Sequence, residues 1–148
     1  MSSWTELSKD DLYSIMRLRT DVFFLEQRAE EEELDFRDLE EATRHYWIAG
    51  GRVPAAYLRV LLDAHPQHRG ARRVIGRVAV RADRRGEGLA QVLMRRVLAD
   101  FGAEAMVLHA QEYIVPLYAK FGFEVFGELY DEAGIPHLSM YRPADTTV

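Results

Sequence analysis

RRVIGRVAVRADRRGEGLAQVLMRRVLADF, residues 72–101, joins a β-branched run to an apolar helical stripe through a turn with two glycines one residue apart. The segment 72–80, bounded by charge and interrupted by Gly76, predicts a central strand with a bulge near that glycine. Leu89, Val92, Leu93, Val97, Leu98 and Phe101 recur on one helical face, and Gly102 stands where a C-terminal cap belongs. A turn between such elements leaves unpaired backbone N–H groups at the positive end of the helix dipole, which attracts anions. Gly86 and Gly88 have no Cβ, so the backbone there can take left-handed angles and approach a phosphate closely. A tight strand-to-helix turn alone would also account for both glycines. A P-loop needs Lys and Ser or Thr after the last glycine, where this chain has Leu89 and Ala90. A dinucleotide fingerprint needs Gly or Ala at Gln91 and an acid at the next strand's end, which is Gln111.

The neighbouring segments supply the rest of a sheet. AMVLHAQ (105–111) reads as a buried strand, and YIVPLYAKFGF (113–123) as a short helix with Pro116 near its start and Gly122 at its end. FEVFGELY and HLSMYR predict two final strands around DEAGIP. Upstream, Ser8 and Asp11 resemble a capping box for a helix from about Lys9 to Phe23. HYWIAGGRVPAAYLRVLL (45–62) predicts two strands joined tightly at Gly50-Gly51, with Pro54 at a strand's start or an irregularity. The β-α-β order over 72–111 implies parallel pairing through the crossover helix, and the flanking hairpins are antiparallel.

A chain of 148 residues, 48% hydrophobic, suits one domain spanning 1–148. Cysteine is absent, which removes disulfides, thiol nucleophiles and cysteine zinc sites and agrees with a reducing, cytoplasmic setting. No stretch approaches the roughly 20 apolar residues of a membrane span, so no membrane partner is expected. The net charge of −5 hides an asymmetry: residues 30–41 hold eight acids and one Arg37, whereas residues 69–96 hold nine arginines. The acidic run reads as a solvated loop or short helix, or as an attraction for cationic substrates. The arginine-rich run suits a small polyphosphate; without aromatic interleaving, nucleic acid is not expected. Asp63, His65 and His68 have no diagnostic metal spacing, and no metal is expected.

Arg85-Gly86-Glu87-Gly88-Leu89-Ala90 resembles the pyrophosphate-binding signature of the GNAT superfamily of N-acetyltransferases, and LYAKFGF (117–123) resembles that family's closing motif. Gln111 and Tyr118 are similar to its Asn–Tyr pairing, with Gln in place of Asn. LRTDVFFLEQ (18–27), RHYW (44–47), IGRVAV (75–80) and GIPHLSM (134–140) resemble the ElaA branch, so the likeness spans nearly the whole chain. The resemblance implies a GNAT-type α/β (α+β) fold: one mixed, mostly antiparallel sheet of six to seven strands, splayed centrally, with helices on both faces. It implies acetyl-CoA as cofactor, with Val78, Ala79 and Val80 bonding the pantetheine arm. Backbone groups of Arg85, Gly86, Glu87, Gly88, Leu89 and Ala90 would cradle the diphosphate, Arg84 and Arg85 would lie near the 3′-phosphate or solvent, and Gln111, Leu117 and Tyr118 would complete the site. Tyr118 is the expected general acid toward the departing sulfur. An amine of pKa about 10.4 must lose a proton before it attacks, so a base or water chain is needed. The strand 72–80 lacks the glutamate that some members carry there. Glu26, His45, Glu112 and His137 remain; Glu26 and His45 are favoured by their place in LEQ and RHYW, and His137 is expected to fix the GIPH turn. The activity implied is acetyl transfer to a primary amine; a non-catalytic acyl-CoA sensor and a longer-chain acyltransferase are the alternatives. Exposed strand edges suggest a homodimer.

Overall fold

The computed structural model describes residues 1–29 and 31–145, so Glu30 of the acidic run lies outside the described residues. Six strands form one sheet: β1 (Arg44–Ile48), β2 (Ala56–Leu62), β3 (Arg73–Val80), β4 (Met106–Gln111), β5 (Glu124–Glu132) and β6 (Ile135–Arg142), in the order β1-β2-β3-β4-β6-β5. Only β3 and β4 run parallel; every other neighbouring pair is antiparallel. The sheet is the mixed, mostly antiparallel one expected, at the six-strand end of the range.

Helix α1 (Lys9–Arg19) covers one face, where Ile15, Leu18 and Val22 bury against Tyr57 and Ala79. Ser8 caps it through Asp11 N–H at 3.0 Å, but the reciprocal capping box forms one turn earlier, between Ser3 and Glu6. The helix does not end near Phe23. It widens into a π-helix over Thr20–Glu26, which carries Glu26 and Gln27 toward the sheet's centre.

Helices α2 (Leu89–Phe101) and α3 (Val115–Ala119) cover the opposite face. Leu93, Met94 and Val97 of α2 are fully buried against Leu58, Val60, Ile75 and Met106. Each such side chain removed from water contributes about 1.5–3 kcal/mol, which fixes the helix to the sheet. Gly102 follows α2 in a right-handed rather than a left-handed conformation; a Cβ there would lie 2.5 Å from the Leu98 carbonyl oxygen and 2.8 Å from Asp145, so the glycine serves close approach.

One further expectation needs correction, and another is met. The β1–β2 connection occupies residues 49–55 instead of a two-residue Gly-Gly turn, and Pro54 lies within it. Arg81 holds that loop by donating to the Gly50 and Val53 carbonyls at 2.6 and 2.7 Å. The bulge expected near Gly76 lies directly beside it. Tyr57 pairs with Ala79 and Arg59 with Gly76, so Arg77 and Val78 together oppose Leu58, and the left-handed angle falls on Arg77 at φ 54°.

That bulge positions the site. β3 pairs with β4 only through Arg73–Ile75 against Met106–Leu108; beyond Ile75 the two strands part. Gly76, Ala79 and Val80 keep their partners on β2, and residues 76–80 present a free edge toward β4.

Candidate active site

The gap between the parted strands opens into two adjoining cavities. The larger, about 640 Å³, runs from Val78, Ala79 and Val80 along Arg84, Arg85, Gly86, Gly88, Leu89 and Ala90 to Gln111 and Leu117. Of the residues expected to bind a cofactor, only Glu87 and Tyr118 are missing from this wall. Glu87 turns outward to Arg84 at 2.7 Å, and Tyr118 lines the second cavity. That one, about 350 Å³, is bounded by Val74–Val78 of β3, Leu108–Gln111 of β4, and His137. Gln27, Val78, Gln111, Tyr113, Ile114 and Ile135 line both. Gln111 Nε2 donates to Gln27 Oε1 at 3.0 Å, so the two glutamines span the junction.

Gly86 at φ 85° and Gly88 at φ 76° take the left-handed angles that the turn requires, and Gly88 is the N-cap of α2. A Cβ at Gly86 would meet nothing within 4 Å, so its glycine answers to backbone angle and to whatever approaches from the cleft. The first amides of α2 have no intrahelical acceptor and sit at the positive end of a 13-residue helix. The residues present fit coenzyme A: the amides from Gly86 to Ala90 would be the ones to hold a diphosphate, and the free β3 edge would be the one to hold an amide-bearing arm.

Arg85 is not loose at the rim. It pairs with Glu26 through both terminal nitrogens and donates to the Val80 carbonyl, joining the π-helix to the glycine turn. The Arg85 hydrogen bond holds the Glu26 carboxyl below its ordinary pKa. His45 is fully buried and lines neither cavity. Its Nε2 faces the Asp38 carbonyl at 3.2 Å, so that nitrogen donates and Nδ1 accepts from the Tyr57 hydroxyl at 2.6 Å. Burial lowers its pKa, and both nitrogens are engaged. Glu112 is exposed in the turn Glu112–Ile114 and lines neither cavity. His137 lines the smaller cavity, and its Nδ1 meets the Ile135 carbonyl at 2.7 Å, within the GIPH turn.

Tyr118 is 4% exposed on α3, and burial pushes its phenol well above the ordinary range, with Tyr113 acting in the same direction. It is protonated at neutral pH. His68 stacks on Phe126 at 3.8 Å between ring centroids. Among the described residues no helix is long and apolar enough to cross a membrane.

Several cavity residues escaped the reading of the sequence: Gln27, Arg59, Arg77, Tyr113 and His109. Strand alternation offered one signal, because His109 and Gln111 share a face of β4. The acids of 31–41 are largely engaged within the molecule. Asp38 pairs with Arg19 at 2.7 Å and Arg59 at 3.1 Å, Asp35 with Arg59 at 2.6 Å, and Glu33 with Arg77 at 2.9 Å. The run is a strap fastened to arginines of α1, β2 and β3.

Comparison with known proteins agrees with this geometry. A family model described as "Acetyltransferase (GNAT) domain" matches residues 21–142. Protein ElaA of Escherichia coli strain K12 is 35% identical over 145 residues, covering 93% of this chain and 91% of that protein. The crystal structure of Escherichia coli ElaA superposes with a TM-score of 0.82 at 34% identity, covering 93% of each chain. A crystal structure of an acyl-CoA N-acyltransferase from Pseudomonas aeruginosa has a TM-score of 0.83 at 32% identity, covering 95% of this chain and 96% of that one. The split sheet, the glycine turn and these likenesses lead to one assignment: the chain belongs to the GNAT acetyltransferase family and is ElaA-like.

Proposed function

We propose that the protein is an acetyl-CoA-dependent N-acetyltransferase that moves an acetyl group directly to the primary amine of a small molecule or protein in the cytoplasm. One observation carries the reading: a helix N-terminus with two left-handed glycines leads into a gap between parted strands, and that gap opens on a second cavity holding a buried tyrosine. Acetyl-CoA would supply an activated acyl carbonyl at the junction lined by Val78 and Gln111.

The chain's residues then divide the work. The β3 edge at Val78–Val80 orients the arm, and an N–H of that edge polarises the acyl oxygen. Leu117 and Leu89 give the cleft its apolar wall. Tyr118, kept protonated by burial, donates to the departing sulfur. Glu26 acts with Arg85 in shaping the cleft mouth, and His45 braces β1 against β2; neither has a free lone pair in the smaller cavity. The acceptor chamber, at about 350 Å³, must hold acyl group and amine together, which favours a short acyl chain.

Calorimetry with coenzyme A tests the cleft, and thiol release from acetyl-CoA with L-lysine, 1,5-diaminopentane and glucosamine tests the transfer. Binding plus amine-dependent thiol release is expected. Absence of heat on titrating coenzyme A into folded protein would overturn the reading.

A further inference from the structure

The acceptor cavity contains an imidazole–carboxylate pair that the roles above leave unused. His137 on β6 and Glu132 on β5 lie on its wall, with Nε2 and Oε2 3.4 Å apart. The opposite ring nitrogen, Nδ1, is 2.7 Å from the Ile135 carbonyl oxygen. A carbonyl only accepts, so Nδ1 carries a proton, and whenever the ring is in its neutral form the Nε2 lone pair faces the Glu132 carboxylate. Two acceptors then face each other with no hydrogen between them. A proton delivered there satisfies both, because the resulting imidazolium donates to the carboxylate.

We infer that His137 is the general base of the reaction and that Glu132 is its positioning residue, the pair taking a proton from the ammonium form of the acceptor at the cavity wall. This rests on the acyltransferase reading above. The register places the pair at the reacting end of the cavity: His137 pairs with Gln111 across β4–β6, and Ile135, two residues earlier, lines both cavities. Tyr118 lines the same chamber from α3. Position thus puts a proton acceptor and a proton donor around one junction.

The protons balance. The acceptor ammonium gives one proton to His137 Nε2, which later passes it to solvent. The freed nitrogen forms the C–N bond as the C–S bond breaks. Tyr118 protonates the sulfur and regains a proton from the acylated nitrogen, so the net products are the amide, the free thiol and one proton.

The charged and titratable groups around the ring are Glu132 and Tyr130 on β5, His109 on β4, Tyr113 on the turn after β4, and Glu31 and Asp63 across the cavity. His109 is held neutral chiefly by burial, and its Nδ1 is engaged with Ser139 Oγ at 3.1 Å. Among these groups Glu132 is the one whose carboxylate reaches the His137 nitrogen.

His137→Asn tests the assignment, because an Asn amide can keep the donation to Ile135 while the base is lost. At pH 7, kcat/KM for the best of the three amines named above should fall about a hundredfold or more. The deficit should shrink toward pH 10, where an amine of pKa about 10.4 is partly free without help. Coenzyme A affinity should stay at the wild-type value. Glu132→Gln should lower kcat less than His137→Asn does and leave KM for the amine unchanged, since the charge that stabilises the imidazolium is gone. Independently of turnover, 15N NMR of the resting protein should show a proton on His137 Nδ1, the nitrogen that faces the Ile135 carbonyl. His137→Asn at wild-type rate, a deficit that does not change with pH, or a ring protonated on Nε2 alone would each overturn the base. Loss of coenzyme A binding in the wild type would instead overturn the reading on which it rests.

Discussion

At the scale of single residues, Tyr118 and Gly50 show two ways in which a neighbourhood decides what a side chain does. A tyrosine in a helix is usually a core residue, and Tyr118 does pack in the main core, edge-on to Phe123 with ring centroids 6.3 Å apart. Its proposed role comes from also lining the acceptor cavity while burial raises its pKa, so it stays protonated throughout the neutral range. Tyr118→Phe removes one oxygen and little packing. Turnover should fall by about a hundredfold with coenzyme A affinity changed by less than about twofold, measured by thiol release and calorimetry. Gly50 is required for space: a Cβ would stand 2.7 Å from Ala55 N and 2.8 Å from an Arg81 nitrogen. The Gly-Gly pair was visible in the sequence, but the arginine 31 positions away that fills the loop was not, and so the connection read as a tighter turn than it is.

At the scale of elements, α2 combines an apolar stripe that sequence reveals with an N-terminus whose chemistry depends on two glycines. Gly88→Ala should separate these properties. The new Cβ meets only Gln91 Oε1, at 3.8 Å, so the cost is the left-handed angle, about 1–2 kcal/mol. Losing or tilting one N–H aimed at an anion weakens binding by about tenfold. Calorimetry should show that loss of coenzyme A affinity beside a melting point lowered by only a few degrees. Leu93→Ala, on the fully buried stripe, should do the reverse: a loss of about 2–5 kcal/mol by urea unfolding with affinity kept in the folded fraction. α2, β3 and β4 were legible because their apolar periods are long and regular. The π-helical extension over Thr20–Glu26 was not, because widening a helix by one residue per turn leaves no periodic mark in seven residues. The bulge was half legible: Gly76 signalled it, but the left-handed angle settled on Arg77, whose guanidinium pairs with Glu33 at 2.9 Å.

At the scale of the whole molecule, the acidic run and the arginines are two halves of one fastening, which net charge conceals. Arg19 and Asp38 are both buried, at 0% and 4% exposure, and Arg59 at 3%, so their mutual pairing is a condition for holding them there. Sequence showed the two charge runs but not their contact, because partners such as Arg77 and Glu31 lie 46 residues apart (77 − 31) and meet only once the sheet has formed. Asp38 lines neither cavity, so Asp38→Asn probes the fastening alone. It should destabilise the protein by about 3–5 kcal/mol in urea at pH 7, since two buried guanidinium groups lose a shared counter-charge. The acid limb of stability carries the second signature. Burial pushes the Asp35 and Asp38 carboxyls up, but hydrogen bonds from Arg59 and Arg19 prevail; Asp35 is held at about 2, and Asp38 is also lowered. A folded-state pKa below the unfolded value, about 3.9 for Asp, gives stability that is present above pH 4 and lost as pH falls toward 2. The wild-type urea midpoint should therefore drop between pH 5 and pH 2 (roughly the span of these two ionisations), and the drop should be shallower in Asp38→Asn, which has already lost one share. Parallel acid limbs for the two proteins would mean that the strap is held by its neutral contacts and that the arginines of α1, β2 and β3 do not depend on Asp38 for their burial.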